Sequence, residues 1–206
     1  MKLDDILAKL DKRLHRLKSL PDDPPGLRCY GIETEGTSVF VTVAPIDRAR
    51  VMPFDNPKVV VDGIHNALAD DQGIVEVANG TVGECGRYIY SIVKTAGQPS
   101  GVQYCLTLHV DANGELTAVQ GFFSERGVTG MRDAMVLEQC VRAGTINPSD
   151  MDGWTFDPYD PKRRHGFLMN LSEKVEYDRA FPTHPLSELR DLIRFLVQVV
   201  HRDRPR

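Results

Sequence analysis

The chain has 206 residues, 41% of them hydrophobic, 26% charged and 7% aromatic, with a formal net charge of −4. That is enough apolar material for one substantial core with extensions, and no apolar run approaches the roughly 18–20 residues needed to cross a bilayer. Charge is unevenly spread: residues 1–20 balance at +3 and residues 21–150 at −8, and an acidic body argues against nucleic acid, whose phosphates demand a basic face.

Leu3, Ile6, Leu7, Leu10, Leu14 and Leu17 recur at three- and four-residue steps, which predicts an amphipathic helix within residues 1–20. Charges interrupt this stretch every few residues, so it lacks the apolar stretch of a secretory signal, and the cytoplasm is the expected compartment. A stiff connector, Pro21 to Gly26, follows.

The body is expected over 27–144. Leu27 to Glu33 and Ser38 to Ala44 are β-rich runs around a turn near Glu35-Gly36. Asn56-Pro57 offers a cap and a first-turn proline for a helix with Val60, Ile64, Ala67 and Leu68 on one face. A short strand, Ile74 to Ala78, precedes three longer ones: Arg87 to Thr95, Val102 to Val110 and Leu116 to Phe123. The last two are joined by the hairpin turn Asp111 to Gly114. Thr129 is positioned to cap a helix that ends at Gly144. The order predicts an α+β fold, a mostly antiparallel sheet of about six strands covered by helices.

Residues 151–206 read as an ordered arm ending in a helix from Pro185, with Leu186, Leu189, Ile193, Leu196 and Val200 on its apolar stripe. Glu188, Arg190 and Arg194 are expected on that helix's surface. Cys29, Cys85, Cys105 and Cys140 are widely spaced and read as reduced, small apolar residues.

The order hairpin, helix, strands, helix resembles the PsbP-like superfamily, which includes a photosystem II subunit and a Ran-binding import factor. The pieces that carry the resemblance are SVFVTVAP, NPKVVVDGIHNAL, RYIYSIVK through QGFF, and GMRDAMVLEQC. It implies an adaptor or assembly role without a shared catalytic site and carries over no binding residue. The arm is similar to segments of uncharacterised bacterial proteins that share W-x-x-D-P-Y-D and F-P-x-H-P-L-S-x-L-R, here Trp154 to Asp160 and Phe181 to Arg190.

Five constellations could carry chemistry. Gly127 and Gly130 free the backbone before a helix flanked by Arg126 and Arg132, a pattern able to hold an anion; its alternative is a turn with the arginines paired to Glu125 and Asp133. Trp154, Tyr159, Phe181 and His184 are candidate partner contacts, or else anchors of the arm on its own domain. Asp157, Asp160, His165 and His184 could be assembled as metal ligands, but aspartates in D-P-Y-D-P are better explained as turn caps. Asp62, His65 and Asn66 read as the polar side of a helix. His109 and Cys105, four residues apart in one strand, lie about 13 Å apart and cannot form a direct dyad. No catalytic residue, metal or cofactor is assigned. The sequence favours a non-enzymatic module that binds a protein partner, with homodimerisation as one form of that binding, and an anionic-ligand binder or enzyme around Arg126 and Arg132 as the alternative.

Overall fold

Alternation of apolar and polar residues along five long strands dictates a sheet with two unlike faces, and the order of helices decides how each is covered. The computed structural model describes residues 3–82, 86–97, 100–112 and 114–197. The side chain of Leu3, Cys85, Asn113 of the hairpin turn and Val200 of the apolar stripe lie outside the described residues.

The chain runs α1 (Leu3–Leu10), β1 (His15–Arg16), β2 (Arg28–Glu33), β3 (Thr37–Pro45), α2 (Pro57–Ala67), β4 (Gln72–Val82), β5 (Gly86–Ala96), β6 (Val102–Ala112), β7 (Glu115–Glu125) and α3 (Met131–Arg142). The arm contributes β8 (Thr155–Phe156), β9 (Met169–Asn170) and α4 (Pro185–Val197). Seven strands form one antiparallel sheet in the order β1-β2-β3-β7-β6-β5-β4, and β8 pairs with β9 in a small ribbon of the arm. The expected α+β class is therefore what forms.

One sheet face is the main core. Tyr30, Val41, Val43, Ile92, Tyr104, Leu106, Leu108 and Val119 lie on it, and Ile6 and Leu10 of α1 close it together with Leu186, Leu189, Ile193 and Leu196 of α4. The second face is covered at its β4–β5 end by α2, where Val60 and Val61 pack with Phe54, Ile74, Val77 and Ile89. A bulge between Ile74 and Glu76 shifts the register of β4, which turns Glu76 toward the α4 side, where Arg190 reaches it. α3 packs on the arm: Val136, Cys140 and Ile146 form a third cluster with Trp154, Leu171, Tyr177 and Phe181.

Three local expectations are corrected. The N-terminal helix stops at Leu10, and Leu14 and Leu17 leave it. Residues 15–17 instead run beside β2, with His15 opposite Gly31, Arg16 opposite Tyr30, and the Leu17 N–H bonded to the Cys29 carbonyl. An edge strand with unpaired backbone groups outcompetes the continuation of a short helix. Thr129 does not cap α3: its cap is Gly130, in the left-handed region at φ 72°, and the Gly130 N–H is taken by the Glu125 carboxylate. Arg190 is not on the surface but 5% exposed beneath the arm. The helix start at Asn56 holds as read, with Asn56 Oδ1 accepting from the Val59 N–H and Pro57 in the first turn.

Candidate functional site

The arm meets the sheet through a buried charge network. Glu173 is fully satisfied: Oε2 accepts from Lys94 Nζ at 2.7 Å and from the Asn170 N–H at 2.8 Å, and Oε1 accepts from Tyr104 OH at 2.9 Å. Lys94 and Glu173 are each 1% exposed, and the ammonium also sits 4.1 Å from the Phe167 ring centroid. Burial first, then the Glu173 carboxylate, raises the Tyr104 hydroxyl well above its ordinary pKa, so it stays a donor.

Two arginines extend the network. Arg132 donates to the Ser172 and Lys174 carbonyls, to Ser187 Oγ and to Asp178 Oδ1. Arg190 donates to Asp178 Oδ1, the Glu173 carbonyl and Glu76 Oε2. Asp178 thus serves both guanidinium groups through one oxygen, and its Oδ2 is buried without a hydrogen-bond partner. Three cations (Lys94, Arg132, Arg190) face three anions (Glu173, Asp178, Glu76), which is the condition for burying them at tolerable cost. These residues fix the arm on the sheet, and Lys94 and Glu173 at its centre are shut away from solvent.

Arg126 and Arg132 diverge. Arg126 is exposed and paired with Glu33 of β2, neither guanidinium pairs with Glu125 or Asp133, and Arg132 spends its donors inside. Both still border one cleft of about 420 Å³, together with Glu35, Glu125, Phe181 and His184. Gly127 and Gly130, at φ 66° and 72°, make the turn between β7 and α3. The cleft therefore gathers Arg126 and Arg132 from the anion set and Phe181 and His184 from the partner set. Its walls are of mixed sign, with Glu35 and Glu125 facing the arginines.

His184 does start the last helix: its Nδ1 accepts from the Leu186 N–H, which leaves the ring proton on Nε2, 3.5 Å from Glu125 Oε1. Burial pushes the Glu125 carboxyl up, but hydrogen bonds from His184 and from the Gly130 and Val102 N–H groups outweigh it, and the net shift is downward. A carboxyl with a depressed folded pKa contributes stability that is complete above its unfolded value of about 4.3 and is lost as pH falls through the folded value. Glu125→Gln is accordingly expected to be less stable than the parent at pH 7, with the gap closing toward pH 3 in urea titrations. A gap that is constant with pH would refute the role of the carboxylate charge.

No family model matches the chain, and no curated protein matches it. Among solved structures, PA94 from Pseudomonas aeruginosa, a protein of unknown function, is similar over 66% of this chain and 96% of its own, at 5% identity and a TM-score of 0.37.

The remaining candidates are placed as follows. Trp154 packs in the α3 cluster. Tyr159 caps the outer edge of the sheet, its hydroxyl accepting from the Val77 N–H at 2.6 Å and donating to the Val77 carbonyl at 3.1 Å. Asp157 Oδ1 accepts from the Tyr159 and Asp160 N–H groups, the turn cap that the sequence suggests. Its Oδ2 meets His65 Nε2 at 2.9 Å, so His65, read as part of an exposed polar side, is instead covered by the arm. Sequence reasoning missed this pair because nothing local links positions 92 residues apart. His184 lies with Glu125, away from Asp157, and among the described residues no three His, Cys, Asp or Glu side chains are grouped to hold a metal. His109 Nδ1 accepts from the Met52 N–H at 3.0 Å, while Cys105 faces Gln103. Cys29, Cys105 and Cys140 are free thiols.

What the second face leaves uncovered is as informative as the clefts. Beyond α2, β3, β7 and β6 present Ser38, Phe40, Thr42, Gln120, Phe122, Cys105 and Thr107, none of them charged. Phe40 is 39% exposed and stacks on Phe122 at 6.3 Å between ring centroids. The residue opposite Phe40 on β2 is Gly31, and beyond it the Leu17 side chain comes within 3.5 Å of where a Cβ of Gly31 would stand, which adds a second half-exposed apolar group to this face.

Proposed function

We propose that the protein is a non-enzymatic macromolecule-binding module and that the open sheet face around Phe40 and Phe122 is its recognition surface. The observation that carries this reading is a stacked aromatic pair, set in a field of small neutral residues and left partly exposed on a sheet face. The partner is a protein surface, and the character of the patch favours a second copy of this chain. In a two-fold contact each residue near the axis meets itself or its neighbour, so a charged patch would repel its own image, whereas this one does not. The closed polar network under the arm supports the absence of catalysis, because Lys94, Tyr104 and Glu173 are inaccessible. No described helix is long and apolar enough to cross a membrane, and three free thiols fit a reducing compartment, which we take to be the cytoplasm.

Sedimentation equilibrium over a range of protein concentrations tests this. The parent is expected to dimerise and Phe40→Lys to remain monomeric, with circular dichroism showing that the variant keeps the parent's fold. A parent that stays monomeric, or a variant that dimerises equally well, would remove the open face as a self-recognition surface.

A further inference from the structure

Independently of the open face, a second cavity of about 530 Å³ lies on the other side of the sheet, between β2, β3, β7 and α4. That volume falls within the range of about 300–1,000 Å³ typical of small-molecule sites. Its floor is apolar, formed by Ile32, Val39, Phe123 and Leu192 with Leu14 from the turn after α1. Its charged groups are unevenly neutralised. At the inner end Asp178 is bonded by both Arg132 and Arg190, and Arg190 also donates to Glu76, so these two guanidinium groups are matched by two carboxylates. At the mouth Asp191 is shared by Arg13 at 2.7 Å and Arg194 at 3.8 Å. Arg179, also on the wall, is exposed and has no ion-pair or hydrogen-bond partner among the described residues. On the walls themselves three arginines, Arg13, Arg179 and Arg194, meet three acids, Asp178, Glu188 and Asp191; Asp178 is already taken by Arg132 and Arg190 and Asp191 by Arg13 and Arg194, so Arg179 is the guanidinium left without a carboxylate. Burial also raises the Glu188 carboxyl, which the Thr37 hydroxyl only partly offsets.

We propose that this cavity binds an anionic amphiphile, an organic monocarboxylate with an aliphatic or aromatic body, whose apolar part lies on Phe123, Val39 and Leu192 and whose carboxylate pairs with Arg179. A neutral apolar molecule would leave the Arg179 guanidinium unmatched, and an amine would be repelled by it. A free guanidinium is suited to the job because its planar donor fork matches the two oxygens of a carboxylate. The site is distinct from the Arg126 and Arg132 cleft, where the acids Glu35 and Glu125 stand against the two arginines.

The test is isothermal titration of the full chain with decanoate, decanol and decylamine. Decanoate is expected to bind saturably at one site, decanol more weakly by about tenfold or more, and decylamine more weakly still, since a charge-assisted hydrogen bond contributes about a factor of ten or above. Arg179→Ala, which removes an exposed side chain with no partner among the described residues, is expected to weaken decanoate by the same factor and to leave decanol unchanged. Ile32→Trp is expected to abolish binding of all three by filling the floor; circular dichroism and the melting temperature establish that it folds. Equal affinity for the three compounds, no saturable decanoate binding, or an undiminished affinity in Arg179→Ala would each overturn the assignment.

Discussion

Replacing Lys94 by Ala is expected to cost about 3–5 kcal/mol of stability, because it strands Glu173 as an uncompensated buried charge. For a chain of this size that is a fall in melting temperature of roughly 6–20 °C, at about 2–4 °C per kcal/mol. The argument rests on geometry. Lys94 is 1% exposed on β5, and Glu173, also 1% exposed, belongs to the capping turn of the arm, where it holds the Asn170 N–H as well. Glu173→Ala is expected to be at least as harmful, since it also leaves Tyr104 OH and the Asn170 N–H without their acceptor. The double variant Lys94→Met with Glu173→Gln removes both charges while keeping an amide near Asn170 and Tyr104, and it should recover at least half of the loss. Chemical denaturation of the four proteins decides the matter. Single variants costing under about 1 kcal/mol would mean that the pair is hydrated in solution and does not fasten the arm.

The second large effect is expected from a single methyl group. A Cβ built on Gly73 would stand 1.9 Å from the Phe167 carbonyl oxygen and 2.8 Å from its carbonyl carbon, and both are backbone atoms that cannot rotate aside. Here the arm lies directly on the outer strand β4, the Phe167 N–H bonding the Gln72 carbonyl at 3.0 Å. Gly73→Ala must push the arm off the sheet edge, with a cost of about 1–3 kcal/mol or more. The expected signature is local: faster trypsin cleavage at Lys162, Arg163 and Arg164, just before the contact, alongside a lower melting temperature. Gly63→Ala is the control. That glycine lies in the middle of α2 with nothing within 4 Å of its would-be Cβ, so the substitution should stabilise by about 0.5–1 kcal/mol through helix propensity. Unchanged proteolysis in Gly73→Ala would show that the arm does not lie against β4 in solution.

Both experiments address the arm, and the arm is where sequence and structure differ most in what they say. Its aromatics and aspartates stood out along the chain, and D-P-Y-D could be read as a turn because Asp157 bonds backbone groups two and three residues ahead. What the arm lies on could not be read. Tyr159 reaches Val77, Phe167 reaches Gln72, Asp157 reaches His65 and Glu173 reaches Lys94, each across 79 or more residues, apart from the Tyr104–Glu173 bond across 69. The paired arginines misled for the same reason. Arg132 sits near Asp133 in the chain, yet its nearest acid in space is Asp178, because α3 turns that face toward the arm. Arg190, placed by helical period on the same turn of α4 as the exposed Asp191, is drawn inward by Glu76 and Asp178.

By itself the sequence determined the α+β class, the long antiparallel strands, the Asn56 start of α2 and the α4 stripe, because period, caps and turn residues act over a few positions and need no partner. It could not determine where the first helix ends, since an unpaired sheet edge competes for residues 15–17. Nor could it determine which sheet face stays open or where the buried charges meet. Those outcomes depend on which surfaces the folded chain brings into contact, and the pairing energy of a Lys94 with a Glu173 exists only once both have left water.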